Sequence, residues 1–380
     1  MTFESTPAAY SSVNDNLVYV VYDAHAADPV TYPNYKYVAD IYINAVKVFT
    51  AKVFPNPDTN RGIFNLGSIM REYIEFSFNP TSSVIPAQEL GIGSWKQDYV
   101  VKIREEYSGT IGAVVLTDST RTFFNHYNGL INEFTKLDDY ANNVASNRPT
   151  VINQRFTNNY FFIPYFWDSG TNYGVVITVG ATVVTKTITP SATKTITLLN
   201  ISPGAINAEF PGTILSTTES YLVSIDGYDY TVNLVCPGIH TNYNVHFLNK
   251  LGGLESVLFN KSRRLTNEIE RKSYQQSGYR VNGSGVVSVK TGDIMHYQKR
   301  NFANKFTEKL KISTDWLSDA EYQWLAELIR SPYVLLEIDG TMYPVVVTDN
   351  NYEFKEYNVD RLSQLSLNVE FGTSYKTQFS

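Results

Sequence analysis

The chain has 380 residues, more than one hydrophobic core serves, so two or three domains are expected. Hydrophobic residues at 43% and charged residues at 18% exclude a disordered chain, and a lone cysteine, Cys236, excludes a disulfide framework or a cysteine-based zinc ribbon. A net charge of −6 argues against wholesale wrapping of a polyanion.

The first stretch reads as short strands between turns. Asn16–Tyr22 is β-branched and aromatic, and Lys36–Ile43 follows with partial alternation. Asn44-Ala45 then separates it from Val46–Phe54, whose alternating apolar and polar residues predict a hairpin with one buried face. Pro55–Gly62 is a turn cluster, Leu66–Phe76 is predicted as a short helix, and Asp98–Tyr107 as a strand closed by Ser108-Gly109. Strands at this spacing predict a sandwich. A polar segment ending in Pro149 reads as a linker. Beyond it, Tyr173–Thr189, Lys194–Asn200, Ser220–Ile225 and Tyr228–Val235 are rich in Val and Thr and poor in charge. They predict a second sandwich of fibronectin-III-like rhythm, with Asp226-Gly227 as a turn.

The last third changes character. Ser318 and Glu321 have the spacing of a capping box, and Leu317, Ala320, Trp324, Leu325 and Leu328 lie at helical spacing up to the stop at Pro332. Tyr333–Ile338 and Met342–Val347 flank Asp339-Gly340, a hairpin signal, and Tyr352–Tyr357 and Leu362–Phe371 read as two further strands. Trp316 and Trp324 are expected in the core. The fold class that follows is mainly β: tandem β-sandwich domains of fibronectin-III or immunoglobulin type over 1–145 and 146–245, then a C-terminal α+β domain over 246–380 with one helix and a β-meander.

Sites for chemistry are scarce. Gly91-Ile-Gly-Ser-Trp95 does not match a nucleophile elbow, and neither a phosphate cradle, a dinucleotide fingerprint nor His-Glu-x-x-His occurs. Five histidines (His25, His126, His240, His246, His296) leave little material for a metal site, and the spacing of His240 and His246 reads as ordinary packing or surface histidines. Asp58–Gly62 lacks the later ligands of a calcium loop and reads as a turn. The acid pairs Glu105-Glu106 and Asp138-Asp139 would face opposite ways in extended chain. No enzyme, cofactor or metal is therefore expected. Met1–Pro7 lacks the cationic and apolar regions of a secretory signal, and no run reaches the ~18 apolar residues of a bilayer span, so neither secretion nor membrane insertion is expected.

Charge is distributed unevenly. Residues 250–311 carry thirteen Lys and Arg against five acids, a surplus of +8, which leaves −14 on the remainder. Such segregation suits a chain that complements its own copies, the front of one meeting the back of the next. Within this basic arm Arg263, Arg264, Arg271, Lys272, Lys299 and Arg300 are the candidate inter-subunit or DNA-facing residues.

Two stretches carry a family resemblance: Phe247-Leu-Asn-Lys-Leu-Gly-Gly253 leading into Leu254–Ser262, and Trp316–Val334 with the Asp-Gly hairpin and Tyr343–Asn350. Together they resemble structural tail proteins of tailed phages that infect Bacteroidota, including crAss-like phages; Asn65–Tyr73 is similar to the same group more weakly. The resemblance implies a non-enzymatic ring or hub subunit of the virion neck or tail, in six or twelve copies, made in the host bacterial cytoplasm. Contact with other tail proteins is expected, with the basic arm either clasping the adjacent subunit or facing DNA in the lumen, and the resemblance transfers no catalytic residues. The alternative expectation is a receptor-binding or carbohydrate-binding tail module.

Overall fold

The structure is a computed structural model and describes residues 1–14, 16–78, 85–90, 93, 95–125, 142–168, 170, 172–191, 194–235, 242–275, 279–289, 299–349, 362–372 and 375–376. Strands dominate it, and the chain divides into two compact units, Met1–Cys236 with Phe247–Ser256, and Pro237–His246 with Val257–Ser380. The expected strand at 352–357 and part of the linker before Pro149 lie outside the described residues.

The first unit holds two sandwiches, each with its own core. In the first, a three-stranded sheet (Thr2–Ser5, Val18–Tyr22, Arg61–Asn65) faces a six-stranded one built around Lys36–Ile43 and Lys96–Tyr107. Period-two alternation explains the packing. Tyr37, Ala39, Ile41 and Ile43 share the inward face with Tyr99, Val101 and Ile103, and meet Tyr19, Val21 and Phe64 of the opposite sheet. Charged residues on the opposite face are buried in ion pairs: Asp40 is held by Arg104, and Glu106 by Lys36 at 3.1 Å and Lys52 at 2.6 Å. The Asn44-Ala45 and Ser108-Gly109 turns have positive φ at both residues, which matches the twist of the hairpins they close.

In the second sandwich, Phe162–Trp167 and Thr195–Asn200 form the centre of a four-stranded sheet that faces a five-stranded one. Ile163, Tyr165 and Leu199 pack with Val175, Ile177, Val223, Ile225 and Val232. The outer strand Gln88–Leu90 comes from far earlier in the chain and pairs with Leu198, Thr197 and Ile196. The stretch Tyr173–Thr189 is two strands, Tyr173–Val179 and Thr182–Ile188, folded back at Gly180. Pro203–Glu209 forms a short helix capped by Ser202, with proline in its first turn, a position where the missing N–H costs nothing. The helix expected over Leu66–Phe76 is shorter: one α-turn at Gly67–Met70 and a 3-10 turn at Arg71–Tyr73. Leu66 offers no side-chain cap, and β-branched Ile69 and Ile74 lower the helical tendency.

In the second unit the meander runs Val334–Ile338, Thr341–Val347, Leu362–Phe371 and then the long strand Lys299–Ser318, with Arg263–Gln275 at the edge of the sheet. Asp339-Gly340 closes the first hairpin with positive φ at both residues. The helix Asp319–Arg330 starts with the full capping box of Ser318 and Glu321 and buries Trp324, Leu325 and Leu328. Trp316 corrects the expectation of a core position: it is 62% exposed. A register shift between Ser313 and Trp316 breaks the alternation, so Leu317 turns inward and the indole outward.

Candidate functional site

The basic stretch becomes a β-ribbon. Arg263–Gln275 pairs antiparallel with Lys299–Ser318 from Arg263 opposite Ile312 to Gln275 opposite Lys299, with a bulge at Lys272/Ser273. A smaller pair, Tyr279–Val281 with Val287–Val289, lies between them in sequence. The exposed run starts at Lys261, since Leu251–Phe259 are all buried. Every residue from Lys261 to Tyr274 is exposed. Among the described residues the outer strand of the ribbon keeps an unpaired edge, which makes it a template for another chain.

Alternation gives the ribbon two different faces. One carries Arg263, Leu265, Asn267, Ile269 and Arg271; the other carries Arg264, Thr266, Glu268, Glu270 and Lys272. On the first face Leu265 is 42% and Ile269 46% exposed, so two aliphatic side chains on the same face, with Asn267 between them, stand in water. On the second face the register sets Arg264 opposite Lys311, Thr266 opposite Lys309 and Glu270 opposite Lys305, so cations cluster there. Lys309 reaches Glu268 at 2.5 Å, a contact that holds the Glu268 carboxyl below its usual range and raises the Lys309 ammonium.

Of the candidate residues, Arg263 lies over the Tyr243 ring at 5.9 Å. Arg264, Arg271 and Lys272 make no ion pair among the described residues, so their charge is available to a partner. Lys299 and Arg300 stand in register with Gln275 and Tyr274. The structure thus brings all six onto one ribbon, divided between its two faces and its far end.

The root of the ribbon is fixed by hydroxyls. Ser262 Oγ donates to Ser313 Oγ at 2.8 Å, which lies 2.9 Å from Ser366 Oγ. Lys261 meets Asp315 at 3.0 Å. Burial works to raise the Asp315 carboxyl, but the Trp316 N–H and Lys261 outweigh it and hold it low.

The other resemblance-bearing stretch is a buried loop in the first unit. The Asn249 amide donates to the Ala145 carbonyl at 2.7 Å and to Glu255 at 2.6 Å, and its oxygen accepts the N–H groups of Leu251 and Gly253 at 3.0 and 2.9 Å. Trp95 Nε1 donates to the Leu251 carbonyl at 3.0 Å. Gly252 has φ +83, and a Cβ there would lie 2.1 Å from the Asn125 carbonyl oxygen; a Cβ on Gly253 would lie 2.3 Å from Pro164. Gly252 is therefore dictated by the approach of a backbone carbonyl and Gly253 by the Pro164 ring, and the stretch is a packing device.

A cluster that sequence reasoning missed lies in the first sandwich: Asp23, His25 and Glu105 place one ligand atom each within 4.8 Å of one another. Sequence separation hid it, because Glu105 reaches His25 only through the strand pairing. Glu105 and Glu106 do face opposite ways, the first to His25, the second to Lys36 and Lys52. His246 lies buried 3.4 Å from Glu337, while His126, His240, His296 and the pair Asp138-Asp139 are outside the described residues. Among the described residues no helix is long and apolar enough to cross a membrane.

No protein-family model matches the chain, and no curated protein matches it. Among solved structures it is similar to the FN1–FN3 domains of chicken CNTN1, at 11% identity and a TM-score of 0.17, over 66% of this chain. It spans 65% of the length of that structure. The two separate cores and their strand orders define the tandem sandwiches.

Proposed function

We propose that this chain is a non-enzymatic structural component of a bacteriophage virion, a ring or hub subunit of the neck or tail that joins portal-proximal to distal tail parts and lines the DNA path. The ribbon carries the reading. It is long, edge-exposed and cationic, and it displays Leu265 and Ile269 where a solitary protein would place polar side chains. An apolar stripe flanked by cations suits a protein surface better than a small molecule. The acidic remainder of the chain supplies the complementary surface on the next copy. The resemblance of Phe247–Ser262 and Trp316–Asn350 to phage tail proteins supports the same reading.

The test is reversal of Arg263, Arg264, Arg271 and Lys272 to Glu, with native mass and electron micrographs of the purified chain and of chain co-assembled with its neighbouring virion proteins. Loss of rings is expected. Rings that form as in the wild type refute the clasp, and rings that form but fail to retain DNA favour contact in the lumen.

A second reading, a receptor-binding or carbohydrate-binding tail module, draws on the exposed Trp316 indole. A glycan array that shows binding by the wild type and none by Trp316→Ala would favour it.

A further inference from the structure

The geometry points to a site for a divalent transition-metal ion formed by Asp23, His25 and Glu105. His25 Nδ1 lies 3.0 Å from Glu105 Oε2 and 3.5 Å from Asp23 Oδ1. Metal–ligand bonds of about 2.0–2.2 Å in a tetrahedron put neighbouring ligand atoms about 3.4 Å apart, so these two separations have the spacing of ligands around one ion, and the third lies within 4.8 Å. Two carboxylate oxygens and one imidazole nitrogen are a donor set that zinc and similar ions accept, with positions left for water.

The three ligands are held from outside the cluster. Asp23 caps the short turn that carries His25 and accepts the His25 backbone N–H at 2.9 Å. Its own N–H donates to the Tyr37 hydroxyl at 2.9 Å, and its other oxygen lies 3.1 Å from the Met1 amino group. The Tyr32 ring stacks on the imidazole at 4.0 Å and is itself braced edge-on by Tyr107. Glu105 comes from the strand Lys96–Tyr107, in register with Tyr37.

Tyr35 supplies the independent observation. Its side chain is 5% exposed, and its hydroxyl has no hydrogen-bond partner among the described residues. It lies near enough to Asp23 and Glu105 for both charges to oppose its ionisation. A buried hydroxyl without a partner is costly, and a water on the ion would satisfy it. The competing account of the contacts is hydrogen bonding of the His25 ring to the two carboxylates without an ion. That account provides nothing for the Tyr35 hydroxyl.

The test uses the full chain stripped with chelator, titrated with Zn2+ by calorimetry and with Co2+ by visible absorption. The wild type is expected to take up one equivalent of either ion and to give the ligand-field bands of a four- or five-coordinate cobalt centre. His25→Ala and Glu105→Gln, shown by circular dichroism to be folded, should weaken binding at least tenfold, and Tyr35→Phe should weaken it less. Absence of saturable uptake by the wild type, a spectrum of hydrated cobalt, or unchanged affinity in both ligand variants would overturn the assignment. Because the wild-type spectrum decides by itself, misfolding of a variant does not rescue the idea.

Discussion

At the scale of single residues, side chains are constrained by what they touch across long sequence gaps. Gly252 combines a left-handed backbone with a carbonyl and an indole in the space a Cβ would take, so Gly252→Ala faces both a conformational and a steric penalty. A loss of about 3 kcal/mol is expected, read as a lower denaturation midpoint without a change in the shape of the curve. Asp118 is a second case. Burial raises its carboxyl, but Arg121 and the Tyr19 hydroxyl at 2.9 Å outweigh this and hold it below the ordinary range. A depressed folded-state value adds stability above about pH 4 that disappears as pH falls further. Asp118→Asn should therefore be less stable than the wild type at neutral pH, and the difference should shrink in acid melts. Tyrosines act with the opposite sign at high pH. Burial pushes Tyr37 and Tyr230 up to about 12. Their contribution is intact below the unfolded value of about 10 and is lost as pH rises through the folded one. Alkaline unfolding followed by tyrosinate absorbance should show ionisation of these groups only together with unfolding.

At the scale of elements, the helix and the ribbon depend on different things. The helix Asp319–Arg330 is specified locally: its cap is complete and its apolar stripe is buried. Ser318→Ala removes one half of the capping box and should cost about 1 kcal/mol, seen as a small fall in Tm. The ribbon is specified by pairing with its neighbour and by the hydroxyls at its root, while the side chains from Arg263 to Tyr274 on its outer strand are all exposed. Substitutions such as Leu265→Asp with Ile269→Asp should therefore leave Tm almost unchanged. The same pair should abolish self-assembly in micrographs if the apolar face is the contact. Hairpins joined by Asn44-Ala45, Ser108-Gly109, Asp226-Gly227 and Asp339-Gly340 share one device, two residues of positive φ, and each was legible as a turn in the sequence.

At the scale of the whole molecule, charge separation makes a prediction about association. A segment at +8 and a remainder at −14 attract between copies only across water, and at physiological ionic strength the screening length is about 8 Å. If copies associate as proposed, raising salt from about 0.05 M to about 0.5 M should slow that association strongly and leave the single chain of 43.0 kDa folded. Sedimentation at the two salt concentrations measures this. Association that is indifferent to salt would assign it to the apolar stripe alone.

What the sequence determined by itself was the local chemistry: strand character from β-branched and aromatic alternation, turns from Asn, Asp and Gly, the helix from its cap and spacing, and the cationic stretch from a count of charges. These depend on neighbours a few residues apart, where covalent geometry limits the choices. Tertiary structure decided the rest. The register shift that turns Trp316 outward, the recruitment of Gln88–Leu90 into the second sandwich, and the backbone approach that demands Gly252 all arise from pairing between distant segments. The meeting of Asp23 and His25 with Glu105 has the same origin, since no periodicity along a chain records which strands will lie side by side.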